Sequence, residues 1–135
     1  MAALYLLDTN ILIAALKGQA AVKQRLETLP LDSIRLSTVV LGELEFGAEK
    51  SAYRERNRAR LVSMAQQLQL VGIDAATSRQ YGLVRADLER QGTPIGANDT
   101  WIAAQALAIK AILVTDNERE FSRVPNLQIE NWLVR

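Results

Sequence analysis

The sequence predicts one α/β domain over residues 1–135, a three-layer α/β/α sandwich with a central, mostly parallel sheet of about five strands. Short apolar runs of β character alternate with longer segments of helical period along the whole chain. Hydrophobic residues make up 49% and charged residues 23% of 135 residues, the balance of a chain with a single hydrophobic core. No internal repeat, low-complexity tract or linker interrupts the alternation.

In chain order, strands are expected at Leu4 to Leu7, Ile34 to Leu36, Leu70 to Ile73, Ile112 to Thr115 and Leu127 to Ile129. Helical spacing of apolar residues marks Thr9 to Lys17, Ala20 to Leu29, Thr38 to Lys50, Tyr53 to Leu68, Ala75 to Arg90 and Asp99 to Ile109. Pro30 ends the second helix, Asp74 stands where it caps the fifth, and Gly92, Pro94 and Gly96 form a loop before the sixth.

The chain has neither cysteine nor histidine. That excludes disulfides, thiolate nucleophiles, Cys/His zinc sites and every mechanism that needs an imidazole. Chemistry would fall to Asp, Glu, Lys, Tyr, Ser, Thr or a bound metal, and carboxylates favour hard cations such as magnesium or manganese. No apolar run approaches the roughly 18 to 20 residues of a membrane span, and MAALYLLDTN lacks a basic leader and a cleavage site, so the expected location is cytoplasmic.

Net charge is only +1 and the pI near 8.1. Basic residues nonetheless cluster, with Arg54, Arg56, Arg58 and Arg60 in one stretch and Arg119, Arg123 and Arg135 near the end. The first group could contact phosphates or form a solvated helix face, and Trp101 and Tyr81 could stack on bases or pack between helices.

Four acids stand out. Asp8 follows the strand LYLL and precedes a helix, at the strand edge where open α/β sheets bind ligands, although taken alone the position is better explained as an N-cap. Glu43 shares a helix side with Val39, Val40, Phe46 and Gly47, and a carboxylate in a buried apolar stripe costs several kcal/mol unless paired or metal-bound. Asp99 heads the stripe Ile102, Ala103 and Ala106, where the helix dipole alone could favour it. Asp116 follows the strand ILVT and could instead be a turn residue, with Glu120 four residues on.

In a parallel sheet the strand C-termini and the starts of the returning helices share one edge, and all four acids map there. Unit charges about 4 Å apart repel by roughly 4 kcal/mol at an effective dielectric near 20, so such a cluster needs a cation or raised pKa values. A divalent-metal site is the expectation.

The residues resemble the PIN-domain family, and within it the VapC toxins of bacterial toxin–antitoxin pairs. The matching segments are LLDTNILI, LSTVVLGELEFGAEKS, PIGANDTWIAAQAL and ILVTDNEREFSRVPNLQIENW, which together span essentially the whole chain. The resemblance implies a PIN-like sandwich in which Asp8 and Asp99 are the principal ligands of Mg²⁺ or Mn²⁺ and Glu43 completes the acidic pocket. Thr9 and Asn10 would position Asp8 or solvent. Many family members carry their last carboxylate two residues after the threonine of the fourth motif. Here that place is Asn117, with Asp116 one residue earlier, and either could fill the fourth position.

It further implies an endoribonuclease toxin that cuts a structured cellular RNA, often a tRNA near the anticodon, and so arrests translation. A VapB-like antitoxin, a homodimer, and a larger complex that meets operator DNA only through the antitoxin belong to the same implication. With no histidine to deprotonate a 2′-hydroxyl, metal-activated water attacking in line is the simpler route. A non-catalytic RNA-binding or assembly module on the same fold is the rival reading. An aspartyl phosphotransferase is disfavoured because Asn10 stands where the second acid of such enzymes would be. Neither GxGxxG nor GxxxxGK[ST] occurs.

Overall fold

The computed structural model describes residues 2–133; Arg135, one of the C-terminal arginines noted above, lies outside them. The elements run β1 (Tyr5–Leu7), α1 (Thr9–Leu16), α2 (Ala20–Glu27), β2 (Ile34–Ser37), α3 (Thr38–Glu49), α4 (Arg54–Gln67), β3 (Gln69–Val71), α5 (Ala75–Arg90), α6 (Ala97–Ile109), β4 (Ile112–Val114), α7 (Glu118–Phe121) and β5 (Ile129–Glu130). A 3₁₀ turn, Leu31–Ser33, leads into β2. All strand pairings are parallel, in the order β3-β2-β1-β4-β5.

That order explains the layers. The chain steps outward from β1 to β3, then crosses back to β4, and right-handed crossovers therefore put α1–α4 on one face and α5–α7 on the other. Leu6, Leu7, Leu36, Leu113 and Val114 form the buried sheet, with Ile11, Val22, Val40 and Ile102 packed on it from the helices. Strands buried on both faces read as continuous apolar runs, which is why LYLL and ILV were visible in the sequence, whereas β2 alternates, with Ile34 and Leu36 buried and Arg35 only partly so.

Expected and observed boundaries differ where local capping decides. The α6 helix starts at Ala97 rather than Asp99, because Gly96 takes the N-cap and its carbonyl accepts the Thr100 hydroxyl at 2.9 Å. The α2 helix stops at Glu27, before Pro30, where the Thr28 hydroxyl turns back to the Arg25 carbonyl. The last strand lies at Ile129–Glu130 instead of Leu127 to Ile129. Asp74 caps α5 as expected, accepting from Thr77 N at 2.9 Å. The sequence reading missed α7, which is too short for any periodicity and is held by the fully buried Phe121.

Candidate active site

The reversal of strand order falls between β1 and β4, and at such a switch point the connections leave toward opposite faces of the sheet, opening a crevice outside the strand C-termini. Asp8 sits at that point. Its backbone N–H bonds to the Val114 carbonyl at 2.8 Å, which locks the residue between the two strand ends. Its side chain is the N-cap of α1, Oδ1 accepting from Thr9 N at 2.8 Å. Oδ2 accepts from the Thr115 hydroxyl at 2.9 Å. Capping and site geometry thus use the same carboxylate. Burial still raises its pKa, outweighing these two bonds, and the nearby Asp116 charge adds to the rise.

Glu43 projects from α3 toward Asp8. Burial and then the Asp8 charge push its pKa upward. Glu43 Oε1 and Thr9 Oγ1 are buried with no hydrogen-bond partner. One expectation about this helix needs correction. Its buried face is Val40, Leu44 and Ala48, while Phe46 is 65% exposed, so the stripe containing Glu43 borders the core instead of lying within it.

Asp99 enters from the first turn of α6 and shows the largest effect: its pKa is pushed up to about 7, by burial first, then by the charges of Asp8, Glu120 and Glu43. Glu120 moves the other way. The Asn117 amide, donating to Glu120 Oε2 at 2.6 Å, leads in holding its pKa down, with help from Asp99, the Gly96 N–H and the Arg123 charge. Between these two, Asp99 keeps the proton and Glu120 keeps the charge.

The fourth position therefore has an arrangement the sequence left open. Asn117 caps α7, its Oδ1 accepting from Glu120 N at 3.4 Å while its amide holds the Glu120 carboxylate. Asn117 N in turn donates to the buried Thr115 hydroxyl at 3.0 Å. Asp116 is exposed and accepts from Asn10 Nδ2 at 3.2 Å. Asn117 thus acts on Glu120, and Glu120 joins the acids. Its sequence signal was the N-x-x-E spacing of a capped first turn, inside a stretch with no helical period.

Whether these groups suit a metal can be judged from their chemistry. Four carboxylates raise or shape one another's proton affinity, and one of them leaves a buried oxygen unpartnered. An all-oxygen donor set fits Mg²⁺ or Mn²⁺. Among the described residues no three acidic side chains form a ready-made coordination shell.

The basic stretch is sorted by helix face. Arg54 and Arg58 pair with Glu49 and Glu45 of α3 at 3.5 and 3.4 Å. Arg56 lies over the Tyr53 ring and, with Arg60 and Lys17, lines a groove of about 500 Å³ that has Glu43 at its edge and Ile13, Leu44 and Leu61 along it. Tyr81 and Trp101 stack on each other, centroids 3.8 Å apart, between α5 and α6; helix packing uses both rings. No helix among the described residues is long and apolar enough to cross a membrane.

Comparison with known proteins gives the family of this fold. Residues 5–127 match the model of the PIN domain. The chain is 40% identical over 131 residues to Ribonuclease VapC2 of Rickettsia felis, covering 96% of this chain and 98% of that one. It is 40% identical over 128 residues to the tRNA(fMet)-specific endonuclease VapC of Shigella flexneri, covering 95% and 97%. Among solved structures, VapBC2 from Rickettsia felis bound to a promoter DNA fragment superposes with a TM-score of 0.88 at 39% identity, covering 96% and 98%. DNA-bound VapBC from Salmonella typhimurium gives 0.89 at 35%, covering 97% and 99%.

Proposed function

Since the chain belongs to the PIN-domain family, among its VapC ribonucleases, we propose that it is a Mg²⁺- or Mn²⁺-dependent endoribonuclease toxin. The observation that carries this reading is the convergence of Asp8, Glu43 and Asp99 at the β1/β4 switch point, close enough that the Asp8 charge raises the proton affinity of Glu43 and both raise that of Asp99. Asp8 and Asp99 hold the cation; Glu43 and Glu120 complete the pocket. When bound, the cation supplies an acidified water and neutralises charge on the reacting phosphate. Glu43, with its unpartnered oxygen, orients the attacking water and takes its proton. Thr9 N and the Thr115 hydroxyl fix the Asp8 carboxylate, so it needs no reorganisation during the reaction. Products then carry 5′-phosphate and 3′-hydroxyl ends.

The substrate is a structured RNA, and a tRNA cut near its anticodon is the first choice, because a relative of similar length is named for tRNA(fMet). Lys17, Arg56 and Arg60 beside Glu43 supply phosphate contacts. Cleavage of such an RNA inhibits translation. The chain pairs with a VapB antitoxin, as the VapBC complexes of its structural neighbours suggest, forms a homodimer within a larger complex, and meets operator DNA only through that partner. Incubation of purified protein with total bacterial RNA and Mg²⁺ or Mn²⁺, followed by mapping of the cut ends, tests substrate and chemistry together. Ends bearing 2′,3′-cyclic phosphate would exclude the water mechanism. Metal-independent RNA binding without cuts would favour a non-catalytic module.

A further inference from the structure

Gln105 is fully buried on a helix whose inner face is otherwise mostly alanine and isoleucine. A buried amide is costly unless its donors and acceptor find partners. Here they do, and the partners come from distant parts of the chain. Nε2 donates to the carbonyls of Val71 and Gly72, at 3.0 and 3.2 Å, where the β2–β3 ladder ends. Oε1 accepts from the buried Ser37 hydroxyl at 2.5 Å. Ser37 Oγ in turn caps α3, accepting from Val39 N at 3.1 Å and Val40 N at 3.3 Å. The Thr38 hydroxyl reaches the same Val71 carbonyl at 3.3 Å.

The two ends of this network lie on the two helices that carry Glu43 and Asp99, whose charges are close enough to act on each other. Glu43 follows Ser37 by six residues along α3, and Asp99 precedes Gln105 by six along α6. At 1.5 Å per residue each acid lies about 9 Å along its helix from the network. A change in rotation or height of one helix against the other at Ser37–Gln105 therefore displaces Glu43 relative to Asp99. Apolar packing of Ala103 and Ala106 tolerates small sliding, whereas a saturated set of directional bonds specifies one register.

We propose that Gln105, through Ser37, is a positioning residue that sets the separation of Glu43 and Asp99 and thereby the fit of the divalent cation. This rests on the metal-dependent nuclease reading. The experiment uses the full chain with Mn²⁺, reading free Mn²⁺ by electron paramagnetic resonance, cleavage of transcribed tRNA(fMet), and thermal melting. Gln105→Met, which fills the space without the bonds, should weaken Mn²⁺ binding about tenfold and lower kcat about tenfold with KM for RNA unchanged. Ser37→Ala should reproduce part of that loss and Ser37→Thr should restore it. Val22→Ala, a cavity in the remote α2 face, should lower the melting temperature at least as much and leave Mn²⁺ affinity untouched. A Gln105→Met protein that melts earlier but binds Mn²⁺ and cleaves like wild type overturns the inference alone. A wild type that neither binds Mn²⁺ nor cleaves overturns the functional reading and this inference with it.

Discussion

At Arg25, Glu130 and Trp132 the fold joins opposite charges, whereas at Asp8, Glu43, Asp99 and Glu120 it gathers like ones. In the first cluster the Arg25 guanidinium meets Glu130 Oε1 at 2.9 Å, lies 5.2 Å from the centre of the Trp132 ring, and the indole N–H also donates to Glu130 at 3.0 Å. There each charge meets its opposite and the indole N–H has an acceptor. In the second, Asp99 holds a proton near neutrality and a Glu43 oxygen has no partner. Charge that is satisfied within the chain serves the fold; charge left unsatisfied waits for something the chain does not contain. The contrast can be broken by changing either cluster and asking whether activity or stability responds.

The largest effect is expected at Asp99. Asp99→Asn should reduce cleavage by about 10³-fold or more, the scale of losing a principal charge from a preorganised site. The same change relieves repulsion from Asp8 and Glu120, so the metal-free variant should melt no earlier than wild type, by calorimetry. A variant that retains cleavage would remove Asp99 from the site.

Trp132 should show the converse. It is 4% exposed, packs against Tyr5 with ring centroids 5.7 Å apart, and anchors the chain after β5. Trp132→Ala should cost about 3 kcal/mol or more in chemical denaturation. Cleavage per folded molecule should stay within a few-fold of wild type.

Proton linkage gives a third, smaller test. In the metal-free protein Asp99 titrates at about 7 against 3.8 for the ordinary group, so between those values the folded state holds a proton the unfolded chain has released. Stability is then greatest at the acidic end of this window and falls as pH rises through it. Asp8 and Glu43, also raised, act in the same sense, whereas the lowered Glu120 and Asp74 act only below the ordinary carboxylate range. Melting temperature should therefore decline by several degrees toward neutral pH without metal. Added Mn²⁺, which binds the ionised acids, should flatten the slope, and Asp99→Asn should reduce it.

How far these clusters could be read from sequence follows the same division. The strands and Asp8 were legible because a buried parallel strand leaves an apolar run and ligands bind beyond its carboxyl end, although the same position also suits the N-cap that Asp8 forms. Asp99 was legible as an acid heading an apolar helix. Glu43 was found for a partly mistaken reason, since Phe46 faces solvent and helical spacing cannot say which of two apolar flanks is the inner one. Glu120 was underweighted because α7 is shorter than any period that could announce it, and its place depends on Asn117 and Phe121. Gln105 was invisible: a lone glutamine on a helix reads as solvent-facing until its distant partners at Ser37, Val71 and Gly72 are known.

The smallest effect belongs to the opposite-charge cluster itself. The side chains of Arg25 and Glu130 remain 45% and 36% exposed, so water screens their attraction and competes for their hydrogen bonds. Exposed ion pairs contribute about 0.2–1 kcal/mol, and the guanidinium over the indole adds roughly 0.5–1 kcal/mol at such a site. Arg25→Ala should therefore lower stability by about 1 kcal/mol, less than Trp132→Ala, because the indole keeps its buried contacts when the cation is gone. Raising the salt concentration should shrink the difference in stability between wild type and variant, since the exposed pair is screened. Cleavage should not change, because Arg25 has no part in the electrostatics of Asp8, Glu43, Asp99 or Glu120. A loss of cleavage in Arg25→Ala at undiminished stability would mean that the two clusters are not separate, and that the α2 face also meets the RNA.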